Sequence, residues 1–409
     1  MSCENVNVTT QPVSLGGVNL DSFGRLRVSN PYTLFDSSNR YAADNQFDTS
    51  TVTGGSTTFL PNEAAVRMDV TTASGAEVVR QSFRTMLYQP GKSLLFLASF
   101  VMNAAKANLR QRVGYFGTQN GVYFELNNTT KAFVLRTYVG GSVDNTSRRV
   151  EQSSWNGDKL DGTGASGYTL DLIKPQLLWM DFEWLGVGNV RVGFVIDGQF
   201  IVCHTYQTAN VYGTSVYMTT GSLPIRYEIT NTAATADASY LKQICSSVVS
   251  EGGLEPNSID HCAIRSTSLT GVGTTLLPLV SIRLASTALG AIVLPSSVKI
   301  LPTSADSFEI QLVKNATLTG ASYSAVASDA NVQFDVSSTA MSGGTITQID
   351  YVAGSNQSQT VLNPVSLFDW DYQLGESLAG VSDVYTIGVR TLSGTGDIIG
   401  SLTFYDLTQ

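Results

Sequence analysis

The residues best suited to chemistry are two carboxylates, Asp181 and Glu183, in the segment D-F-E-W. In a β-strand, residues two apart point to the same face, with roughly 6.6 Å between their Cα atoms. Two carboxylates at such a spacing can act as the acid and the base or nucleophile of glycoside hydrolysis. The same alternation is also typical of a strand with one solvated face, because the intervening residues are apolar.

Histidine, the other common proton-transfer group, occurs only twice, as His204 and His261. A Ser-His-Asp or Cys-His site would need one of them. We interpret His204 as a packed, hydrogen-bonded core residue in phase with Phe200 and Val202. His261 stands in the triplet D-H-C with no second ligand cluster elsewhere, so the sequence predicts no metal site and no cofactor.

The amino-acid composition argues against several classes of function. The 409 residues carry a formal charge of −9, which argues against nucleic acid as the main ligand because phosphate binding needs a basic surface. Four scattered cysteines do not make a disulfide framework. No apolar run approaches about 20 residues, and the polar start lacks the apolar core of a signal peptide. We therefore expect synthesis in the cytoplasm without membrane insertion.

The pattern of apolar residues predicts an all-β protein. Charged residues make up only 14% of the chain, while Thr, Val and Gly, which suit strands and turns, are frequent. The clearest element is a hairpin in which Val190, Val192, Phe194 and Ile196 alternate with other residues. Asp197-Gly198 then supplies the two positive φ angles of a type I′ turn before a return strand.

Glycine pairs in the sequence divide the chain into three predicted parts. Residues 1–55 are interpreted as an extended N-terminal arm, because this polar stretch has no clear sheet of its own. Residues 56–252 contain strand after strand and predict a large sandwich. Gly252-Gly253 marks the expected junction, and residues 253–409 predict a smaller C-terminal β-sandwich. The arm either packs on its own downstream domain or docks into a neighbouring subunit.

The N-terminal arm contains the chain's most specific motif, D-S-F-G-R-L-R-V-S at residues 21–29, followed by P-Y-T-L-F-D-S at residues 31–37. This sequence resembles that of a group of virion structural proteins of tailed phages, particularly those of marine and cyanobacterial hosts. Later segments are similar to the same group: L-V-S-I-R-L at 279–284, T-L-T-G-A-S at 317–322 and S-L-T-F at 401–404.

The resemblance implies a non-enzymatic structural protein of the virion, made in the host cytoplasm. Its best-fitting role is a tail-fibre or head-fibre subunit that docks through its arm onto capsid, neck or tail proteins. The docking residues are then Phe23, Gly24, Arg25, Leu26, Arg27 and Phe35. A closed homo-oligomer, a trimer in the case of a fibre, and a glycan of the host surface are further expected partners. A capsid decoration protein that clamps capsomers is the alternative.

The order of strands in residues 56–252 resembles the concanavalin-like jelly-roll sandwich. One glycosidase family on that fold carries an E-x-D-x-x-E motif at the strand that holds Asp181 and Glu183. Here Asp181 stands for the first Glu, Glu183 for the Asp, and Gly186 occupies the position of the last carboxylate. A polysaccharide-degrading spike that uses Asp181 and Glu183 is thus a third alternative, and it lacks its acid/base residue in the sequence.

Overall fold

The computed structural model describes residues 30–255, 257–354 and 370–408. The motif at residues 21–29 lies outside these ranges, together with the predicted docking residues Phe23, Gly24, Arg25, Leu26 and Arg27. Strands dominate the described residues, which form two β-sandwiches in succession. The predicted all-β class is therefore confirmed. None of the described helical segments is long and apolar enough to cross a membrane.

Strands β1 to β15 build the first sandwich. In chain order they are β1 (Tyr32–Ser38), β2 (Phe47–Val52), β3 (Gly55–Leu60), β4 (Ala65–Val70), β5 (Glu77–Ser82), β6 (Leu94–Met102), β7 (Leu109–Phe116), β8 (Gly121–Asn127), β9 (Thr130–Arg136), β10 (Arg149–Glu151), β11 (Gln176–Phe182), β12 (Val190–Ile196), β13 (Gln199–Tyr206), β14 (Ile225–Asn231) and β15 (Ser239–Ser250). One turn of 3₁₀ helix, Gln152–Ser154, follows β10.

Two antiparallel sheets face each other in this sandwich, as the jelly-roll prediction requires. The first sheet has the order β13-β12-β11-β6-β15-β4-β3, with β1 also paired to β15, and the second has the order β10-β9-β8-β7-β14-β5-β2. Inward residues at period two fill the space between them with aromatic rings, among them Phe96 and Phe194 from the first sheet and Tyr115, Phe124 and Phe133 from the second.

The predicted hairpin of β12 and β13 is confirmed. Ile196 pairs with Gln199, so the turn consists of Asp197 and Gly198, whose φ angles are +50° and +77°. The phase predicted for the return strand is wrong. The register shifts opposite Val192, which leaves Cys203 as an extra residue, so Ile201 and Cys203 enter the core while Phe200 is 53% exposed.

The boundary predicted for the N-terminal arm also needs correction. Residues 32–52 are part of the first sandwich, since β1 pairs with β15 from Tyr32↔Ser250 to Ser38↔Cys245 and β2 pairs with β5. The physical reason is burial: Phe35 and Phe47 are 1% and 5% exposed and join the core. From residue 30 onward, the segment packs on its own domain.

Strands β16 to β26 build the second sandwich. They are β16 (Ile259–Val272), β17 (Leu277–Leu284), β18 (Val293–Pro302), β19 (Ser307–Lys314), β20 (Thr317–Thr319), β21 (Ser324–Ala325), β22 (Val332–Asp335), β23 (Ala340–Ser342), β24 (Thr345–Ala353), β25 (Val384–Thr391) and β26 (Gly396–Asp406). A three-stranded sheet, β16-β26-β18, packs on a six-stranded sheet, β21-β22-β17-β25-β19-β24. β20 pairs with β23, and Trp370–Tyr372 forms a 3₁₀ turn.

A small apolar cluster and several backbone hydrogen bonds join the two sandwiches. Leu87 of the first packs against Ile292, Leu294 and Leu407 of the second, and all four are at most 6% exposed. Residues 373–378 of the second sandwich bind the first at three points. The side-chain amide of Gln373 donates to the Thr85 carbonyl at 2.9 Å, and the backbone N–H of Glu376 donates to the Phe83 carbonyl at 3.0 Å. The backbone N–H of Leu378 donates to the Asp48 carboxylate at 2.7 Å. The sandwiches are thus held as one body.

We expect Leu294→Ala to weaken this junction, because it removes a fully buried side chain from the apolar cluster. Leucine-to-alanine changes in cores cost about 2–5 kcal/mol of unfolding free energy. Urea unfolding followed by circular dichroism measures the loss. Val381→Ala, at a side chain that is 64% exposed, is the control and should change the unfolding free energy by less than about 0.5 kcal/mol. Equal effects of the two substitutions would refute a stabilising role for the cluster.

Candidate functional site

An open cleft on the outer side of the first sheet contains both of the predicted carboxylates. Its volume is about 440 Å³, and its lining consists of hydrogen-bonding residues: Ser93, Asp181, Glu183, Asn189, Arg191 and Glu251. Asp181 points away from the core because Met180 and Phe182, its neighbours on β11, point inward. The structure therefore brings Asp181 and Glu183 to one cleft, as their spacing predicted.

Asp181 binds two neighbouring side chains in this cleft. It is 8% exposed, it accepts a hydrogen bond from the Ser93 hydroxyl at 2.6 Å, and it forms an ion pair with Arg191 on the neighbouring strand β12. These two contacts hold the carboxylate in a fixed position at the cleft. It can orient a ligand or stabilise positive charge.

Glu183 lies beyond the end of β11, which stops at Phe182. The chain turns there, with Leu185 at φ +33° and Gly186 at φ +77°, and the N–H of Glu183 donates to the Asn189 carbonyl at 3.2 Å. The turn explains why Gly186 stands where the glycosidase motif has its last carboxylate: its positive φ suits glycine, and a Cβ would lie 2.6 Å from Val216. Glu183 is exposed at the rim.

A third carboxylate, which sequence reasoning missed, comes from Glu251 just after β15. Its N–H donates to the Ser93 carbonyl at 2.9 Å, which fixes it beside the residue that binds Asp181. Partial burial raises the pKa of the Glu251 carboxyl, and the negative charge of Asp181 adds to this rise. Glu251 is distant from Asp181 along the chain, and only the pairing of β15 with β6 brings them together. The cleft thus places Asp181, which Ser93 and Arg191 bind, beside Glu251, whose pKa is raised.

His204 is a structural residue. His204 is 7% exposed, its Nδ1 accepts a hydrogen bond from the N–H of Asn156 at 3.3 Å, and its ring lies 4.6 Å from that of Tyr206. Burial lowers the pKa of His204. It is the packed, hydrogen-bonded residue that was predicted. The described residues contain no group of three His, Cys, Asp or Glu side chains arranged to hold a metal ion.

The docking role predicted for Phe35 is contradicted. Its side chain is 1% exposed, its ring lies 5.8 Å from that of Phe47, and the guanidinium of Arg84 lies 5.2 Å above it. Phe35 therefore fills the core of its own sandwich and has no surface to offer another subunit. The physical cause is the pairing of β1 with β15, which turns this residue inward.

The outer face of the second sheet carries an arginine network that surrounds two glutamates. Arg112 on β7 binds Glu125 at 2.8 Å and Glu228 at 3.1 Å. Glu125 also binds Arg149, and Glu228 also binds Arg110 and Arg226, at 3.0 to 3.2 Å. The two glutamates are at most 3% exposed, so buried charges are compensated here by several partners each.

Aromatic rings form the floor of the arginine network. Phe116 and Tyr123 are fully buried on this outer face, with ring centroids 4.5 Å apart. The guanidinium of Arg136 lies over both rings, 5.3 and 5.1 Å from their centroids, and that of Arg226 lies 5.7 Å over Phe116. Cation–π contacts of this kind stabilise guanidinium groups away from water. Alternation such as R-Q-R at residues 110–112 is too common to have predicted this network from sequence.

Comparisons with known proteins give only distant similarities. Neither a protein family nor a curated protein matches this chain. Similar solved structures include the carbohydrate recognition domain of Emp46p in its metal-free form (10% identity, TM-score 0.32, 55% of this chain and 97% of that one), a β-1,3-glucanase from Mycobacterium marinum (8%, 0.34, 53% and 98%) and a protein of unknown function from Shewanella oneidensis MR-1 (8%, 0.37, 59% and 93%). At these TM-scores the likeness carries no argument about function.

The arginine network yields a prediction about pH. Burial alone would raise the pKa of Glu228, but Arg112, Arg226, Arg110 and Arg136 outweigh it and lower that pKa to about 2, from an ordinary value of 4.5. Because the folded pKa is below the unfolded one, the ionised carboxylate stabilises the fold above pH 4.5. This contribution is lost as the pH falls through about 2.

We therefore expect Glu228→Gln to lower the unfolding free energy by about 3–5 kcal/mol at pH 7, since it removes the carboxylate that Arg226 and Arg110 bind and one of the two that Arg112 binds. Urea unfolding at pH 7, 4, 3 and 2 should show the difference from the wild type shrinking as the pH falls below 4.5. Glu151→Gln is the control, because Glu151 pairs with Arg149 from a half-exposed position, and it should cost less than about 1 kcal/mol. A difference that does not vary with pH would refute the assignment.

Proposed function

We propose that this chain is a structural protein of a tailed-phage virion and that it acts without catalysis. Its role is that of an appendage subunit, a tail or head fibre, whose N-terminal motif docks onto capsid, neck or tail proteins. The two sandwiches are then the part presented outward, where a host-surface glycan is a possible partner. The motif D-S-F-G-R-L-R-V-S, with its resemblance to virion structural proteins, is the first support for this proposal.

The observation that carries the proposal is the way the motif joins the folded body. The last motif residue, Ser29, is followed within a few residues by β1, which pairs along its whole length with β15. β15 in turn leads to the junction between the sandwiches. A motif that docks would thus be attached directly to a rigid body of two domains, as an appendage requires. The same geometry would serve a decoration protein, the alternative role.

We expect a chain that begins at Asn30 to fold and yet to be absent from particles. Deletion to residue 29 keeps β1, whereas a deletion to residue 40 would remove a strand of the first sheet and confound docking with folding. Western blotting or mass spectrometry of purified particles, assembled with the full or the shortened chain, measures incorporation. Circular dichroism of the purified shortened chain verifies its fold. Normal incorporation of the shortened chain would disprove the docking role.

A matched pair of point variants sharpens this experiment. Arg25→Ala removes a guanidinium from the motif and should abolish incorporation, since losing one partner of a desolvated charge pair costs several kcal/mol. Arg40→Ala removes an exposed guanidinium that stacks on Tyr41 outside the motif, and it should incorporate normally. Equal incorporation of the two variants would argue against Arg25 as a docking residue.

A polysaccharide depolymerase is the second candidate function, and Glu251 is the observation that favours it. The glycosidase motif appeared to lack its third carboxylate, yet Glu251 brings one to the cleft of Asp181 and Glu183, with a raised pKa suited to an acid. The ion pair of Asp181 with Arg191 weighs against it, because that pair occupies one of the two groups such a reaction needs.

We expect the double variant Asp181→Asn, Glu183→Gln to leave infectivity unchanged, because the proposed role needs no proton transfer at this cleft. Plaque counts compare the variant phage with the wild type. In parallel, the purified wild type, this double variant and Glu251→Gln are incubated with host-surface polysaccharide, and released oligosaccharide is measured by reducing ends. Release by the wild type that is lost in both variants would replace our proposal with the depolymerase.

A further inference from the structure

Among the described strands, β24 forms an edge with an apolar outer face. It ends the six-stranded sheet, with β19 on one side and no described strand on the other. Ile346, Ile349 and Tyr351 are opposite Val313, Gln311 and Glu309, alternate residues of β19, so all three point to the same face. They are 50%, 45% and 63% exposed. A register shift at Thr347 brings Ile346 onto this face.

The other edges of the second sandwich carry features that prevent pairing between proteins. β18 contains Pro295, Lys299 and Pro302, and β21 has only two residues. β16 is interrupted by two register shifts. Natural β-proteins protect their edges in such ways, and a long apolar edge without them tends to pair with another strand. β24 has nine residues, neither proline nor lysine, and a single charged side chain, Asp350.

The sequence of β24 is complementary to itself in an antiparallel pair. If an antiparallel pair of two copies is centred on Ile349, this side chain lies opposite Ile349 of the second copy. The apolar face then continues from one sheet into the other. Asp350 then faces Gln348, with which it already shares a hydrogen bond at 3.2 Å within one chain. No like charges meet, although the whole chain carries −9, so local pairing avoids the repulsion that would otherwise oppose association.

We propose that β24 is a self-association surface, on which the β24 strand of a second copy of this chain adds in antiparallel register centred on Ile349. The two six-stranded sheets then form one continuous sheet across a twofold axis. The unit is a dimer, in contrast to the trimer that the phage resemblance made possible. This assembly depends only on the second sandwich and is independent of docking by the N-terminal motif.

Sedimentation velocity of the purified full chain, from 1 to 100 µM, tests the proposal. The wild type should be a dimer in the upper part of this range. Ile349→Lys and Ile349→Glu each place two like charges face to face and should raise the dissociation constant tenfold or more, roughly the effect expected for directly opposed like charges with loss of an apolar contact. An equimolar mixture of the two variants should restore the dimer, since lysine then faces glutamate.

Ile264→Lys is the matched control, because Ile264 is a 56% exposed isoleucine on the edge strand β16. It should leave the dimer intact, and circular dichroism should show all variants folded. A wild type that stays monomeric at 100 µM or forms a trimer would overturn the proposal. So would a dimer that survives Ile349→Lys, or a mixture of the charged variants that remains monomeric.

Discussion

The second sheet of the first sandwich depends on the ion pairs that compensate one buried carboxylate, Glu228. Glu228 is buried, and taking such a charge out of water is unfavourable unless partners surround it. Arg112 and Arg110 meet this need from β7, and Arg226 meets it from Glu228's own strand. The strand order β8-β7-β14 is therefore fixed by charge on the outer face as well as by apolar packing on the inner face.

The two charged regions of this sandwich differ in the number of cationic partners that each carboxylate has. In the arginine network, each glutamate has two or three cationic partners, and aromatic rings shield the guanidinium groups from below. The cleft of Asp181 is lined by three carboxylates and one cation, Arg191, which pairs with Asp181, and the excess negative charge is left in contact with solvent. The first arrangement stabilises the sheet, whereas the second leaves hydrogen-bonding capacity directed at a space that a ligand can enter.

Local features of the sequence predicted local structure well. The alternation from Val190 onward and the dipeptide Asp197-Gly198 determine the hairpin within a few residues. The extra residue at Cys203 could not be predicted, because a bulge depends on how the strand pairs with its neighbour. Long-range pairing explains the other errors: Phe35 is buried only because β1 finds β15, and Glu251 reaches Asp181 only through β6.

The position of β1 determines how tension would pass through the molecule. Tyr32, at the beginning of β1, is paired with Ser250, at the end of β15, and its hydroxyl accepts a hydrogen bond from Trp370 near the junction. A pull at Asn30 against the second sandwich would therefore act at the same end of both strands. The hydrogen bonds of this strand pair would be loaded one after another, beginning at Tyr32, so β1 would separate from β15 at a low force and would take Leu34 and Phe35 out of the first core.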